Sequence, residues 1–224
     1  SVCKSDKASK YVSLTASELF SMSELEIRRR PVQERSAKTF DHILETAGVV
    51  LEETGWDGFS TNLLAERAGI GIQTLYRYFP NKLSVVATLA KRLIEEWDSW
   101  FLELGPNWLG RSGIDLFVER LKNQPGGVAI RRAMAASPIL RALDREDNQR
   151  LAEQFAGDLI VRDSTLDYDD MVLTILVALE AVVAVVDLTY DLPSSKADRM
   201  IELCVEMQGA YLARHVPVRI KEVQ

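Results

Sequence analysis

The sequence predicts an all-α protein, and three observations carry that reading. Apolar residues recur at i, i+3, i+4 and i+7 nearly throughout the 224 residues, the spacing that gathers them on one side of a helix. Nothing reads as a strand ladder, and there is no internal repeat or low-complexity tract. Breakers of the right chemistry punctuate the periodic stretches: Gly55, Gly69-Ile70-Gly71, Phe79-Pro80, Gly105-Pro106 and Ser137-Pro138.

Taken in order, residues 1–34 form an N-terminal extension, polar and mixed, with a short helix expected around 16–27 and the run Arg28-Arg29-Arg30-Pro31 near its end. Met22 can be a native start preceded by extra residues. The first strong helix is expected at 36–54, with Phe40, Ile43, Leu44, Ala47, Val50 and Leu51 on one stripe and Gly55 ending it. Thr61 is the expected N-cap of a short helix over 62–68, followed by the glycine-containing turn and a third short helix over 72–78. Asn81 then caps a long fourth helix, with the stripe Leu83, Val86, Ala90, Leu93, Ile94, Trp97, Phe101 and Leu104. Its ~22 residues would span roughly 33 Å at 1.5 Å per residue, enough to join two domains. Beyond Gly113, helices are expected at 114–123, 127–136, 138–161, 168–190 and 195–214, with Ser137-Pro138 as a cap followed by a first-turn proline.

Composition narrows the function classes. Cys3 and Cys204 lie far apart and match no disulfide or metal spacing, and His42 and His215 are isolated, so no metal or other cofactor is expected. A reducing compartment, the cytoplasm, is the expected location, and no charged-then-apolar leader is visible. Residues 171–190 are apolar enough to raise the question of a membrane. However, Glu180 and Asp187 lie inside the stretch and Asp167, Asp169 and Asp170 crowd its start, which favours a buried helix and no membrane partner. The net charge of −6 is unevenly spread: residues 1–92 hold 13 Lys and Arg against 11 Asp and Glu, whereas residues 93–224 hold 14 against 22. An acidic total therefore does not exclude a nucleic-acid partner for the first part.

Two short helices joined by a glycine turn and preceded by a supporting helix are the arithmetic of a helix-turn-helix. Leu64, Ala65, Ala68, Ile70, Leu75 and Phe79 would form its small core. With Leu75 and Phe79 inward, Gln73, Thr74 and Arg77 share the opposite face, and those are side chains that read base edges. Tyr76, Tyr78 and Lys82 flank that face, where they can hold phosphates. The stretch at 61–82, TNLLAERAGIGIQTLYRYFPNK, resembles the DNA-binding signature of the TetR family of transcriptional regulators, and the match extends over about residues 35–93. The resemblance implies that Thr61 and Asn62 approach the DNA backbone or base edges, that Gln73, Thr74 and Arg77 lie in the major groove, and that Tyr76, Tyr78 and Lys82 contact phosphates. One position departs from the pattern: Gly71 stands where the family often has a serine or threonine capping the recognition helix. Arg28, Arg29 and Arg30 read either as an arm reaching the minor groove or phosphates, or as a solvated basic tail.

The C-terminal helices carry more apolar surface than one subunit can bury. Met200, Leu203, Cys204, Met207 and Tyr211 make one stripe, Ile201, Val205 and Leu212 a second, and the 171–190 helix, with Leu176 and Val183, is apolar almost all round. A homodimer through these two helices is expected, as the resemblance also implies, with Leu176, Val183, Met200, Cys204, Met207 and Tyr211 at the interface. Trp97, Trp100, Phe101, Trp108, Phe117, Met134 and Phe155 can line an effector pocket, although core packing is the commoner role for each aromatic. Glu180 either pairs with an arginine across the core or the dimer, or recognises a ligand; structural pairing is the preferred reading. The acidic run over 163–170 reads as helix-start charge and Cys204 as an inert buried thiol.

The expected architecture is thus a helix-turn-helix DNA-binding domain at 35–82 and a larger helical effector-binding and dimerisation domain at 83–224. The expected function is a ligand-responsive repressor released from a near-palindromic operator in double-stranded DNA by a small apolar or amphipathic effector. The alternatives are a dimeric regulator controlled by a protein partner, an activator without a small-molecule effector, and a helical-bundle enzyme. The last is disfavoured, because neither histidine belongs to an E-x-x-H pair and no phosphate loop or nucleophile motif is present.

Overall fold

The structure, a computed structural model, describes residues 25–104 and 110–216, with the backbone alone described for 98–104. Among the described residues there are nine helices and no strand. They are α1 Glu34–Gly58, α2 Thr61–Arg67, α3 Ile72–Tyr76, α4 Lys82–Leu104, α5 Arg111–Asn123, α6 Gly127–Ala136, α7 Pro138–Arg162, α8 Tyr168–Thr189 and α9 Ser194–His215. The chain divides into two compact units: of the described residues, 25–96 and 121–144 form the first, and 97–120 and 145–216 the second. The chain passes from one to the other within α4, α5 and α7.

In the first unit, α1 opens with a reciprocal box in which the Gln33 N–H donates to Ser36 Oγ at 3.3 Å and that hydroxyl donates to Gln33 O at 2.7 Å. All six residues of the expected stripe, Phe40 to Leu51, are buried. The helix does not stop at Gly55, however. Gly55 takes a left-handed kink (φ 65°) that only glycine accepts cheaply, and one more turn follows to Gly58. The cap of α2 is Ser60 rather than Thr61: its hydroxyl accepts from the Leu63 N–H at 3.2 Å, which moves Thr61 into the first turn. The turn to α3 runs through Gly69 at φ 64°. Helix α3 ends at Tyr76, two residues short of expectation, with Arg77 as its C-cap. Asn81 does cap α4, its Oδ1 accepting from the Ser84 N–H at 2.8 Å.

Helix α6 also belongs to this unit and packs on α1. The chain enters it through Gly126 (φ 72°), whose backbone lies so close to Gly48 of α1 that a Cβ there would sit 3.1 Å from Gly48 O. Arg131 of α6, 1% exposed, is neutralised by Asp144 of α7. Arg131, with Met134, fills the interior of this unit.

The second unit is built on α8 and α9, which pack together across a short connection. Its core gathers Leu151, Phe155 and Leu159 from α7, Met171, Ile175 and Leu179 from α8, and Leu212 from α9. Asp167 caps α8 by accepting from the Asp170 N–H at 2.9 Å, and Asp169 and Asp170 lie in the first turn as helix-start charge, whereas Asp163 accepts from the N–H and hydroxyl of Thr165 in the connection before the helix. Helix α8 is long and apolar enough to cross a membrane by length and composition, with mean hydropathy 2.5 over its most apolar window and 39% of that window buried. One side of the helix is buried within the subunit, whereas Leu173, Val177 and Leu188 are exposed, in keeping with the expectation that one subunit cannot bury it all round.

The Gly126–Gly48 approach makes a direct prediction. Gly126→Ala should destabilise the protein by about 1–3 kcal/mol, through a left-handed φ and a backbone collision together. Gly157→Ala, inside α7 with open space around its Cβ, should instead be neutral or stabilising by up to about 1 kcal/mol. Urea unfolding midpoints of the two variants check the pair; equal midpoints would refute the strained approach.

Candidate nucleic-acid interface

The recognition surface is assembled from the inside out. Leu64 and Ala65 of α2, Ala68, and Leu75 and Phe79 at α3 are buried together, with Ile70 half-buried. The small alanines let α2 and α3 cross closely. Phe79 stacks on Phe40 of α1 with ring centroids 5.0 Å apart, and Tyr78 meets Phe40 edge-on at 5.6 Å. With those side chains committed inward, helical geometry turns the remaining positions of α3 outward. Gln73 and Arg77 are exposed and Thr74 is half-buried, so the face expected to read bases is open.

The neighbouring residues fall into place unequally. Asn62 is exposed. Thr61 is half-buried, its hydroxyl 3.2 Å from that of Tyr76, so the two short helices are pinned to each other through a hydroxyl pair that periodicity could not reveal. Tyr76 keeps an exposed ring. Tyr78 departs from expectation. It is 5% exposed and its hydroxyl donates to Ser36 O at 3.5 Å, so its ring is part of the support beneath α3 and not an open phosphate contact. Lys82 lies with its ammonium 4.1 Å from the Trp56 ring centroid and donates to Trp56 O at 3.2 Å. The signal for this platform was a tryptophan just past the Gly55 breaker, a position outside the apolar stripe. Gly71 serves as N-cap of α3 without a side-chain hydrogen bond, which leaves the entry to the helix uncluttered.

The electrostatics agree with an anionic partner. Residues 69–82 contain Arg77 and Lys82 and no carboxylate. Arg28 docks beside them: its N–H donates to Tyr78 O at 2.8 Å and its guanidinium donates to Tyr76 O at 3.2 Å. Of the acids on α1, Glu53 is engaged with Arg67 and Asp41 with Arg92, while Glu66 of α2 is exposed. A surface of hydrogen-bond donors and acceptors rimmed by cations suits a duplex, whose phosphates supply affinity and whose base edges supply sequence.

The residues expected at an effector site do not form one group. Trp97, Phe117 and Phe155 are buried in the second unit, with Trp97 and Phe117 edge-to-face at 4.9 Å. Met134 is buried in the first unit. Trp108 and the side chains of Trp100 and Phe101 lie outside the described residues. Glu180 is exposed and accepts from the Nδ2 of buried Asn148 at 2.9 Å, so the partner in its own subunit is an amide and not the expected arginine. Of the expected dimer residues, Met207 is exposed and Leu176, Val183, Met200 and Tyr211 are half-buried. Cys204 is the exception. It shares a buried face with Ile201 and Gln208, and burial pushes its thiol pKa up, so it is packed inside its own subunit. Among the described residues no group of His, Cys, Asp and Glu could hold a metal ion.

Comparison with known proteins bears on the whole arrangement. Residues 43–89 match the family described as bacterial regulatory proteins, tetR family, and residues 109–216 match the tetracyclin repressor-like C-terminal domain, together more than half of the chain. The chain is 31% identical over 98 residues to the HTH-type transcriptional repressor KstR of Rhodococcus jostii, covering 44% of this chain and 42% of that protein. It is 34% identical over 103 residues to the HTH-type transcriptional regulator EthR of Mycolicibacterium smegmatis, covering 43% of this chain and 48% of the relative. The matched region thus spans less than half the length of these curated relatives. A crystal structure of a TetR-family transcriptional regulator from Streptomyces coelicolor superposes with a TM-score of 0.60 at 25% identity, over 79% of this chain and 99% of the other. With the helix-turn-helix geometry, these matches place the chain in the TetR family, whose members are DNA-binding transcription regulators and not enzymes.

Proposed function

We propose that the chain is a cytoplasmic homodimeric repressor that holds a near-palindromic operator and releases it when a small apolar or amphipathic effector binds. The observation that carries the DNA reading is the division of α3, with Leu75 wholly buried and Gln73 and Arg77 exposed on the other side. In this reading Gln73, Thr74 and Arg77 enter the major groove. Asn62 and Thr61 meet the backbone or base edges, and Tyr76 and Lys82 hold phosphates. Gln suits adenine and Arg suits guanine, each able to bond two atoms of one base edge. Residues 35–82 would read DNA and residues 83–224 would sense and dimerise, with 83–96 and 121–144 grouping compactly with the former.

The dimer would form through α8 and α9. Leu173, Val177 and Leu188 on the first, and Leu203 and Met207 on the second, are large apolar side chains left in solvent by a single subunit. Leu176, Val183, Met200 and Tyr211 border them, half-buried. A two-fold dimer presents two recognition helices, and their separation must approach one turn of DNA, about 34–36 Å, which makes the operator near-palindromic. The effector would be held near Trp97, Phe117 and Phe155. Met134 is better assigned to the core of the first unit. An effector preferring the conformation that does not fit DNA shifts the population away from the operator. Repression is preferred to activation because the Rhodococcus relative is a repressor by name.

Selection from a random-sequence duplex pool at physiological salt tests the central claim: a recurrent near-palindrome is expected, and sequence-blind binding alone would overturn it. On the selected site, Arg77→Ala should lose about 1–3 kcal/mol of discrimination at one base pair per half-site. Lys82→Ala should weaken all sequences alike and flatten the salt dependence by about one unit of slope for each phosphate it no longer neutralises. Val177→Glu with Met207→Glu should yield monomers in sedimentation and a large loss of operator affinity; a dimeric double variant would sink the proposed interface. Operator release by the small-molecule fraction of a cell extract, and not by its protein fraction, separates an effector from a partner protein.

A further inference from the structure

We infer that the segment 25–30 is a docked arm with divided roles, in which Arg28 is the anchor and Arg29 and Arg30 bind the phosphate backbone beside the recognition helix. The inference rests on the DNA-binding function proposed for α3 and extends the binding surface beyond the helix-turn-helix. A solvated basic tail has no fixed place, but this segment has one. Leu25 is 3% exposed, within the same compact unit as α1–α3. The Arg28 N–H donates to Tyr78 O at 2.8 Å and its guanidinium donates to Tyr76 O at 3.2 Å. Tyr76 is the last residue of α3 and Tyr78 follows its C-cap, where carbonyls left without helical partners need donors. Arg28 is therefore consumed by the fold, although three adjacent arginines look equivalent in sequence.

Arg29 and Arg30 are different. All three arginines are exposed, but among the described residues Arg29 and Arg30 form neither an ion pair nor a hydrogen bond, whereas Arg28 is bonded to two carbonyls. The next carboxylate along the chain, Glu34, is paired with Lys38 at 2.9 Å, and Arg35 adds a further exposed cation. Two guanidiniums are thus held one and two residues from an anchor on the recognition helix itself. Any duplex seated on α3 brings its phosphates to that neighbourhood, and the guanidinium fork suits a phosphate. Anchoring also lowers the ordering cost that a free tail would incur on binding.

The test uses the full chain and the site recovered by selection. Arg29→Gln with Arg30→Gln, both exposed and so not expected to alter folding, should weaken specific and random duplex alike. The slope of log affinity against log salt should become shallower by about 3 to 4 units for a dimer, at roughly 0.9 per phosphate over four phosphates. Arg28→Gln should flatten the slope less. An unchanged slope and affinity in the double variant, with the wild-type protein binding its site, overturns the arm while leaving the helix-turn-helix function intact. A loss confined to sites with A·T-rich flanks overturns the phosphate assignment in favour of minor-groove readout. A larger slope change from Arg28→Gln than from the double variant overturns the division of roles. Absence of any sequence-specific binding by the wild-type protein indicts the underlying DNA-binding proposal instead.

Discussion

Five residues make α3, and a helix that short has no stability of its own in water. Its position is therefore imposed from beneath, and the imposing contact is the stack of Phe40 on Phe79, with Tyr78 edge-on and Leu75 fully buried. Phe40 sits in the second turn of α1, a long helix anchored by its own buried stripe. The guanidinium of Arg92 in α4 lies over the Phe40 ring, 5.6 Å from its centroid, and Asn81 fixes where α4 begins. The recognition face is thus a by-product of aromatic packing. Each inward ring decides which polar side chain points out, and the backbone positions of Gln73, Thr74 and Arg77 are set before any ligand arrives. Preorganisation of that kind lowers the ordering cost of recognition.

The same helix α1 is gripped from a second direction by α6. At Gly48 and Gly126 backbone meets backbone, without the cushion of side chains that could change rotamer to absorb a shift. Helix α6 is in turn tied to α7 by the pair Arg131–Asp144, with the arginine almost wholly out of solvent. A buried ion pair of this sort adds little net stability, but breaking one partner is costly, so it resists rearrangement. Together these contacts tie α1, α3 and the 121–144 segment into one compact unit, although 121–144 is remote from the helix-turn-helix in sequence.

Much of this was legible in the residues. Helical periodicity located the helices to within a few positions, because apolar stripes, prolines and glycines act locally; α6 spans the same residues, 127–136, that its pattern predicts. The inward set of the helix-turn-helix followed from the same period. What escaped were contacts decided by tertiary packing. Ser60 and Thr61 are both competent caps, and only the geometry of Leu63 selects the first. Gly55 looked like a stop, but a glycine kink let the helix resume. Tyr78 carries a polar tip on a large apolar ring, and the space against Phe40 settled which part governed. Cys204 shared a stripe with Met207 on paper, yet one is buried and the other exposed. Residues three apart in a helix differ by about 60° of rotation, enough to straddle the edge of a buried face. Arg28 could not be told from its neighbours by any local rule.

Helix α8 poses the remaining physical question, because its composition suits a membrane and its surroundings do not. A spanning helix must be apolar toward lipid on every open side, yet α8 bears Glu180 and Asp187, and Glu180 is open and bonded to the amide of Asn148. Its packed neighbour α9 carries Arg199, Glu202 and Glu206 in mutual ion pairs. Lipid would leave those charges without water, whereas a second protein surface need cover only the apolar strip. Leu173, Val177 and Leu188 supply that strip on α8, and Leu203 and Met207 supply it on α9. In the proposed dimer, a copy of the same chain related by a two-fold axis would offer the matching surface and leave the charged flanks hydrated at the rim. The excess hydrophobicity of the C-terminal helices and the twofold symmetry expected of the operator then have one cause. In the proposed dimer, the two helices that leave large apolar side chains in solvent within a subunit would be the ones that set how two recognition helices meet the DNA.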